Sequence, residues 1–294
     1  MASQLRELVG DGVEAARLAT GFGFLEGPVW HPDGYVLFSD LAQDVRRSWS
    51  ETGGVTELRQ PNARANGMAL DAHLRLIVCE HVTSQVVREE EGRRDVLASH
   101  WTGFELNSPN DAVVHSDGSV YFTDPWYGRL PAHGLERPRE LDFQGVYRIG
   151  PAGALELLVD DFAMPNGLCF SPDKSLLYVD DTPRAHIRVF DVLANGSLGV
   201  GRIFCESIGT GDAREGVVDG MRCDARGNVW VTGPGGIWVI DPRGEHLGTV
   251  GIPEVASNLA WGGDDLGTLY VTATSSLYAL RTLIGPARLP HHRV

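Results

Sequence analysis

The 294-residue chain has few cysteines and no long apolar run. Its four cysteines are scattered without a C-x-x-C pair, which favours reduced thiols in the core over disulfides. No segment approaches the roughly 18 apolar residues of a membrane-spanning helix. The first 20 residues carry five charged side chains, so they lack the apolar core of a secretory signal. The sequence therefore predicts a cytoplasmic protein without a membrane partner.

The chain is also short of positive charge, with 25 Lys and Arg against 39 Asp and Glu and a formal net charge of −14. Nucleic-acid partners need basic patches, so this balance argues against them and suits attraction of cations. A G-x-S-x-G elbow and a P-loop are both missing from the sequence. Their absence disfavours a serine hydrolase and a nucleotide enzyme.

Six copies of one pattern run through the sequence, each a short apolar strand, a polar turn and a second apolar strand. The copies are residues 27–40, 66–79, 110–124, 166–180, 219–232 and 258–272. They recur roughly every 40 to 55 residues, and most continue into a third and a fourth strand. Four strands per repeat predict an all-β, six-bladed β-propeller of four-stranded antiparallel blades, with residues 1–294 as one domain. A β-sandwich, the alternative fold, gives no reason for six copies.

Other segments complete the predicted ring. The last repeat has three strands, so residues 15–20 are expected to supply the fourth and close the ring without an exposed edge. The long intervals at residues 125–141 and 204–218 are predicted to be loops over one end of the channel. The C-terminal residues 289–294 are expected to be a frayed end.

Equivalent blades point equivalent residues at the channel axis. The residues that open the inner strands are Glu26, Asn66, Asn110, Asn166, Asp219 and Asn258. Asn-Gly and Asp-Gly are common turn dipeptides, which would explain some of these positions singly. Turn chemistry does not require a carboxylate in blade one, whereas carboxylate and amide oxygens together are the ligands of a hard cation. The set predicts one divalent ion, Ca²⁺ first, with Mn²⁺ or Mg²⁺ possible.

Several runs resemble the SMP-30/gluconolactonase/LRE family. They are residues 24–30 (FLEGPVW), 108–114 (SPNDAVV), 121–125 (YFTDP), 164–168 (MPNGL) and 218–221 (VDGM). The resemblance extends from about residue 21 to residue 280. It implies a calcium-dependent lactonase acting on a small-molecule lactone, with Glu26, Asn166 and Asp219 as metal ligands. It also implies that Asn110 faces the metal or the substrate and that Asp219 is the general base.

Substrate contacts are predicted from the same resemblance. The animal sugar lactonases carry an arginine where this chain has Ser108, so a sugar hydroxyl contact is not implied there. Trp126 and Tyr127, with Trp101, are candidates to line an apolar cleft, and packing between strands is the equal alternative. Asp124 is a further candidate contact, although a hydrogen bond to a loop is the stronger interpretation.

The predicted function is therefore metal-dependent opening of a lactone ring. Three alternatives stay open. A phosphotriesterase would use the same site, because a metal that polarises a carbonyl also polarises a phosphoryl oxygen. A strictosidine-synthase-like condensing enzyme would share the propeller without needing the ligand set. A noncatalytic binding platform would not need it either. The natural lactone and the oligomeric state are not predicted.

Overall fold

Six four-stranded antiparallel sheets make up the protein in the computed structural model, which describes residues 3–292. The chain begins with helix α1 (Ser3–Val9) and strand β1 (Ala16–Thr20). Blade one contains β2 (Leu25–His31), β3 (Tyr35–Asp40), β4 (Val45–Ser50) and β5 (Gly54–Arg59). Blade two contains β6 (Ala65–Leu70), β7 (Leu76–Glu80), β8 (Gln85–Glu90) and β9 (Arg93–Ala98).

The remaining blades follow the same order. A two-stranded ribbon of β10 (His100–Trp101) and β11 (Phe104–Glu105) precedes blade three, which contains β12 (Ala112–Val114), β13 (Val120–Asp124), β14 (Gly145–Ile149) and β15 (Leu155–Val159). Blade four contains β16 (Pro165–Phe170), β17 (Leu176–Asp181), β18 (His186–Asp191) and β19 (Arg202–Cys205). Blade five contains β20 (Met221–Cys223), β21 (Val229–Gly233), β22 (Gly236–Ile240) and β23 (His246–Gly251). Blade six contains β24 (Ala256–Gly262), β25 (Thr268–Ala273), β26 (Ser276–Arg281) and β1. A short 3₁₀ turn spans Tyr127–Arg129. The predicted six-bladed β-propeller is confirmed.

The N-terminal strand closes the ring. Strand β1 pairs antiparallel with β26, from Ala16 opposite Ala279 to Thr20 opposite Ser276. The predicted fourth strand of the last blade is thus confirmed, beginning at residue 16. Helix α1, which the sequence reasoning missed, adds Leu5 and Leu8 to the core between blades five and six. No helix among residues 3–292 is long and apolar enough to cross a membrane.

Neighbouring inner strands come unusually close at the channel end where they begin. The Gly67 amide donates to the Asn110 carbonyl at 2.7 Å, and a Cβ on Gly67 would lie 2.6 Å from that oxygen. The Gly220 amide likewise donates to the Ser257 carbonyl at 2.8 Å. These glycines lie at inner-strand contacts between blades, so close approach of two backbones explains the Asn-Gly and Asp-Gly pairs better than turn chemistry does.

The C-terminal segment covers the opposite end of the channel. The Ala287 amide donates to the Cys223 carbonyl at 2.8 Å, and His291 is 5% exposed with its Nδ1 3.2 Å from the Leu70 carbonyl. Together with inner-strand residues, the segment encloses a small cavity of about 50 Å³. The prediction of a frayed end is wrong as far as His292, because His291 is buried against the inner strand at Leu70 and the segment lines the small cavity. Residues 293 and 294 lie outside the described part of the chain.

Candidate active site

A cavity of about 360 Å³ lies at the end of the channel where the inner strands begin. Five of the six predicted ring residues line it, namely Glu26, Asn66, Asn110, Asn166 and Asp219. The sixth, Asn258, is 1% exposed, and its Nδ2 donates to Glu26 Oε2 at 3.0 Å. The loop at residues 125–141 contributes Tyr127 and His133, and the loop at 204–218 contributes Gly211, Ala213 and Val217. Both predicted loops therefore form part of the cavity wall.

Two carboxylates meet on the axis. Glu26 is 2% exposed, and its Oε2 also accepts a hydrogen bond from the Gly27 amide at 2.8 Å. Burial raises the pKa of Glu26 to about 7, although the hydrogen bonds from Gly27 and Asn258 lower it. Burial, and next the negative charge of Glu26, raises the pKa of Asp219 well above its ordinary value. Two adjacent carboxylates resist ionising together unless a cation joins them.

The surroundings of this pair are acidic as well. Asp180 is fully buried, and a hydrogen bond from the Gly167 backbone amide lowers its pKa only in part. Burial, and next the charges of Asp181 and Asp111, raises the pKa of Asp180 well above its ordinary value. The guanidinium of Arg222 lies 3.5 Å from Asp111 Oδ2 and offsets part of this charge. The net field at the cavity floor favours a cation.

Two amide oxygens in the cavity wall have no partner. Asn66 Oδ1 and Asn166 Oδ1 are buried without a hydrogen bond, which costs on the order of 1–3 kcal/mol for each. Asn166 Nδ2 donates to Thr182 Oγ1 at 3.1 Å, and the Thr182 hydroxyl donates to the Val218 carbonyl at 2.8 Å. The amide nitrogen of Asn166 is thus held by a hydrogen bond, and the amide oxygen is available to a ligand. Orphaned oxygens beside paired carboxylates fit a hard cation.

The potential metal ligands in the cavity are carboxylate and amide groups. Within residues 3–292, no group of three His, Cys, Asp or Glu side chains comes together in a form that could hold a metal ion. A site here would need amide oxygens from Asn166 and Asn110 beside the two carboxylates. Such a set of oxygen ligands is typical of sites for hard cations and not of zinc or copper sites.

Two predicted substrate contacts hold the 125–141 loop instead of lining the cavity. The Ser108 hydroxyl is fully buried, donates to the Pro125 carbonyl at 2.5 Å and accepts from the Gly128 amide at 2.9 Å. The carboxylate of Asp124, also fully buried, accepts from the Asn107 and Ser108 amides, each at 2.8 Å. These contacts agree with the interpretation that Asp124 forms a hydrogen bond to a loop. Ser108 therefore fixes the start of the 125–141 loop, and Asp124 holds the backbone of Ser108 in place.

Of the three aromatic candidates, one lines the cavity and two do not. Tyr127 lines the cavity, and burial raises the pKa of its hydroxyl. Trp126 lies outside the lining, with the Arg139 guanidinium 3.4 Å above its ring. Trp101 packs edge-on against Tyr147 with 5.8 Å between ring centres. The apolar surface of the cavity comes from residues that the sequence reasoning did not single out: Phe24, Leu41, Met164, Val217, Val255 and Ala256.

Sequence reasoning also missed His81 and Thr182, which line the cavity. Both directly follow the second strand of a blade, as Leu41 does. The repeat contains this signal, because residues that follow equivalent strands reach the same end of the channel.

Fold and cavity together define a six-bladed propeller with an oxygen-lined, acidic site on its axis. The family described as the SMP-30/Gluconolactonase/LRE-like region matches residues 24–275, and the protein belongs to this family. It is 32% identical over 288 residues to the gluconolactonase of Zymomonas mobilis, covering 90% of this chain and 80% of the relative. It is 30% identical over 271 residues to the 6-deoxy-6-sulfogluconolactonase of Pseudomonas putida, covering 85% of this chain and 82% of the relative.

A solved structure is also similar. The gluconolactonase of Xanthomonas campestris superimposes with a TM-score of 0.87 at 33% identity, covering 96% of this chain and 93% of that one. These similarities support a lactone-hydrolysing enzyme.

Proposed function

We propose that the protein opens a lactone ring by hydrolysis with the help of one divalent cation, Ca²⁺ before Mn²⁺ or Mg²⁺. The observation that carries the proposal is the unpartnered Asn166 Oδ1 beside the Glu26 and Asp219 carboxylates in one cavity. The lactonase relatives make a small-molecule lactone the first substrate class to test.

The proposed ligands are Glu26, Asn166 and Asp219, with Asn110 facing the cation or the substrate. All four side chains line the cavity, and all four present oxygen. When bound, the cation would polarise the lactone carbonyl and offset negative charge on its oxygen. Asn110 is placed firmly, because its backbone amide donates to the Thr123 carbonyl at 2.9 Å and its carbonyl accepts from Gly67.

Asp219 is the proposed general base. It is partly exposed to the cavity, whereas Glu26 is held by two hydrogen bonds. Asp219 accepts a proton from water as the water oxygen bonds to the carbonyl carbon. The ring C–O bond then breaks, and the same proton passes to the departing oxygen. The product is the open hydroxy acid.

Tyr127 and the apolar residues Phe24 and Met164 line the cavity above these carboxylates. They are proposed to bind the apolar faces of the ring and to orient it beside the carboxylates. Ser108 and Asp124 enter the proposal only as anchors of the loop that carries Tyr127, and Trp126 has no proposed contact with the substrate.

The test is a substrate screen on metal-stripped protein. Aldonolactones, aliphatic γ- and δ-lactones, aromatic lactones and an organophosphate are assayed with EDTA and again after addition of Ca²⁺, Mn²⁺ or Zn²⁺. We expect lactone opening that chelation abolishes and Ca²⁺ or Mn²⁺ restores. Undiminished turnover in verified metal-free protein would refute the cation's role. Turnover of the organophosphate alone would favour the phosphotriesterase, and turnover of nothing would favour a binding platform.

A further inference from the structure

His81 is a buried histidine on the cavity wall that has no part in the proposed ligand set or proton transfer. It is fully buried and follows strand β7. Its Nδ1 lies 3.0 Å from the His133 carbonyl, and its Nε2 lies 3.3 Å from Asn66 Nδ2. The imidazole therefore bridges the 125–141 loop, which contains His133, and the inner strand of blade two, which contains Asn66.

The His133 contact determines which ring nitrogen carries the proton. A carbonyl oxygen only accepts hydrogen bonds, so Nδ1 of His81 must be the N–H donor. Burial lowers the pKa of His81 to about 4, so the ring is neutral near pH 7. In the neutral ring with a protonated Nδ1, Nε2 carries a lone pair and accepts.

The lone pair on Nε2 determines how the Asn66 amide faces. Nε2 accepts from the Asn66 NH₂ group, whereas the flipped amide would set Oδ1 against a second acceptor. Asn66 Oδ1 is thereby turned away from the histidine, and it is buried without a partner on the cavity wall. The acceptor atom of Asn66, a residue that lines the cavity, is thus left without a partner.

The loop holds the imidazole in place. A Cβ added to Gly128 would lie 2.6 Å from the His81 Cβ, so glycine permits the loop to pack against the histidine. The Leu135 amide donates to the Gly128 carbonyl at 2.9 Å, which ties the loop segment that carries His133 to this contact. Arg137 Nη2 donates to the His81 carbonyl at 3.3 Å.

We propose that His81 is a positioning residue that fixes the Asn66 amide so that Asn66 Oδ1 accepts a hydrogen bond from a hydroxyl group of the lactone. The substrate class rests on the proposed function. Asn66 would then select lactones that carry hydroxyl groups, because an unsubstituted ring leaves Oδ1 unpaired.

Two variants of His81 test the substrate part. His81→Gln keeps an acceptor oxygen near the position of Nε2, and His81→Leu removes the acceptor while filling similar space. Each is assayed with glucono-δ-lactone and with unsubstituted δ-valerolactone, which share ring size. For His81→Leu we expect the ratio of kcat/KM for the hydroxylated over the unsubstituted lactone to fall roughly 5- to 10-fold, mainly through KM. His81→Gln should restore most of the ratio.

Two results would overturn this part. Equal losses on both substrates in His81→Leu would mean that the histidine serves only the structure of the wall. A weaker Ca²⁺ affinity in His81→Leu, measured by calorimetry, would place Asn66 Oδ1 on the cation instead of the substrate.

A nitrogen NMR spectrum of ¹⁵N-histidine-labelled protein tests the positioning part without any turnover. The His81 signals are assigned by their loss in His81→Gln. We expect a neutral ring protonated at Nδ1 at pH 7, and protonation at Nε2 would refute the proposal. If the wild-type enzyme opens neither lactone, the proposed function fails and the hydroxyl assignment fails with it, whereas the NMR result still decides whether His81 orients Asn66.

Discussion

At the scale of single residues, the site repeats one arrangement in two blades. Asn66 and Asn166 open equivalent inner strands, and each amide nitrogen contacts the residue that follows the second strand, His81 or Thr182. Each amide oxygen is consequently left unpartnered on the cavity wall. The blade repeat thus leaves one amide oxygen without a partner in each of the two blades, and the free energy lost in this way is recovered when a ligand binds.

The two axial carboxylates should respond differently to neutralisation. Asp219→Asn keeps an oxygen ligand but removes the base, so kcat for lactone opening should fall about 10²- to 10⁴-fold while some metal still binds. Glu26→Gln should mainly weaken metal binding, because hydrogen bonds from Gly27 and Asn258 hold the Glu26 carboxylate in place as a proposed ligand while Asp219 remains as the base. A metal titration of both variants measures the difference.

The control for these variants is Glu90→Gln, which changes an exposed carboxylate at the end of β8. It should leave both the metal titration and kcat close to those of the wild type. Excess metal that rescues Asp219→Asn as fully as Glu26→Gln would reduce Asp219 to a ligand and remove the general-base assignment.

At the scale of elements, the N-terminal strand and helix hold the ring closed. Deletion of residues 1–20 removes β1 and the buried Leu5 and Leu8, and it exposes the edge of β26. We expect Tm to fall by about 10 °C, since burying each leucine contributes roughly 1.5–3 kcal/mol, and we expect self-association through the open edge. Calorimetry and size-exclusion chromatography provide the readout. A deletion variant that keeps both the Tm and the oligomeric state of the full-length protein would contradict a structural role for this closure.

Some features of the fold could be predicted from the local sequence, and others could not. Strands such as β17 carry their own apolar pattern and polar turns, so the blades and the ring residues could be predicted from local sequence. A hydrogen bond of Asp124 to a loop was predicted, but its partners could not be, because the fold brings the amides of Asn107 and Ser108 to that carboxylate. The C-terminal segment was misjudged for a similar reason. Its contact through His291 is with Leu70, far away in the chain.

At the scale of the whole molecule, the proposed ligands come from four different blades. Glu26 belongs to blade one, Asn110 opens blade three, Asn166 lies in blade four and Asp219 precedes blade five. A cation held by all of them would cross-link the ring at its axis, and a ligand that binds only the folded chain raises its stability. That the chain unfolds as one domain stays a prediction, which a single calorimetric transition would support.

The stabilisation by Ca²⁺ should grow with pH. Without a cation, the pKa of Glu26 in the folded protein is about 7, above its ordinary value of 4.5, and that of Asp219 is also raised. Between about pH 4.5 and pH 7 the folded chain therefore holds more protons than the unfolded chain, so cation-free stability falls as pH rises through this window. The cation must displace those protons, so its affinity rises over the same range.

We therefore expect saturating Ca²⁺ to raise Tm by roughly 5–10 °C at pH 8 and by much less at pH 5. Differential scanning calorimetry with Ca²⁺ and with EDTA at both pH values measures the two shifts. Comparing the samples at each pH cancels the titration of groups remote from the cation. Glu26→Gln should reduce the pH dependence, because one of the two protons is no longer there to displace, whereas Glu90→Gln should keep it. Equal Ca²⁺ shifts at pH 5 and pH 8 in the wild type would mean that the ion binds away from the paired carboxylates.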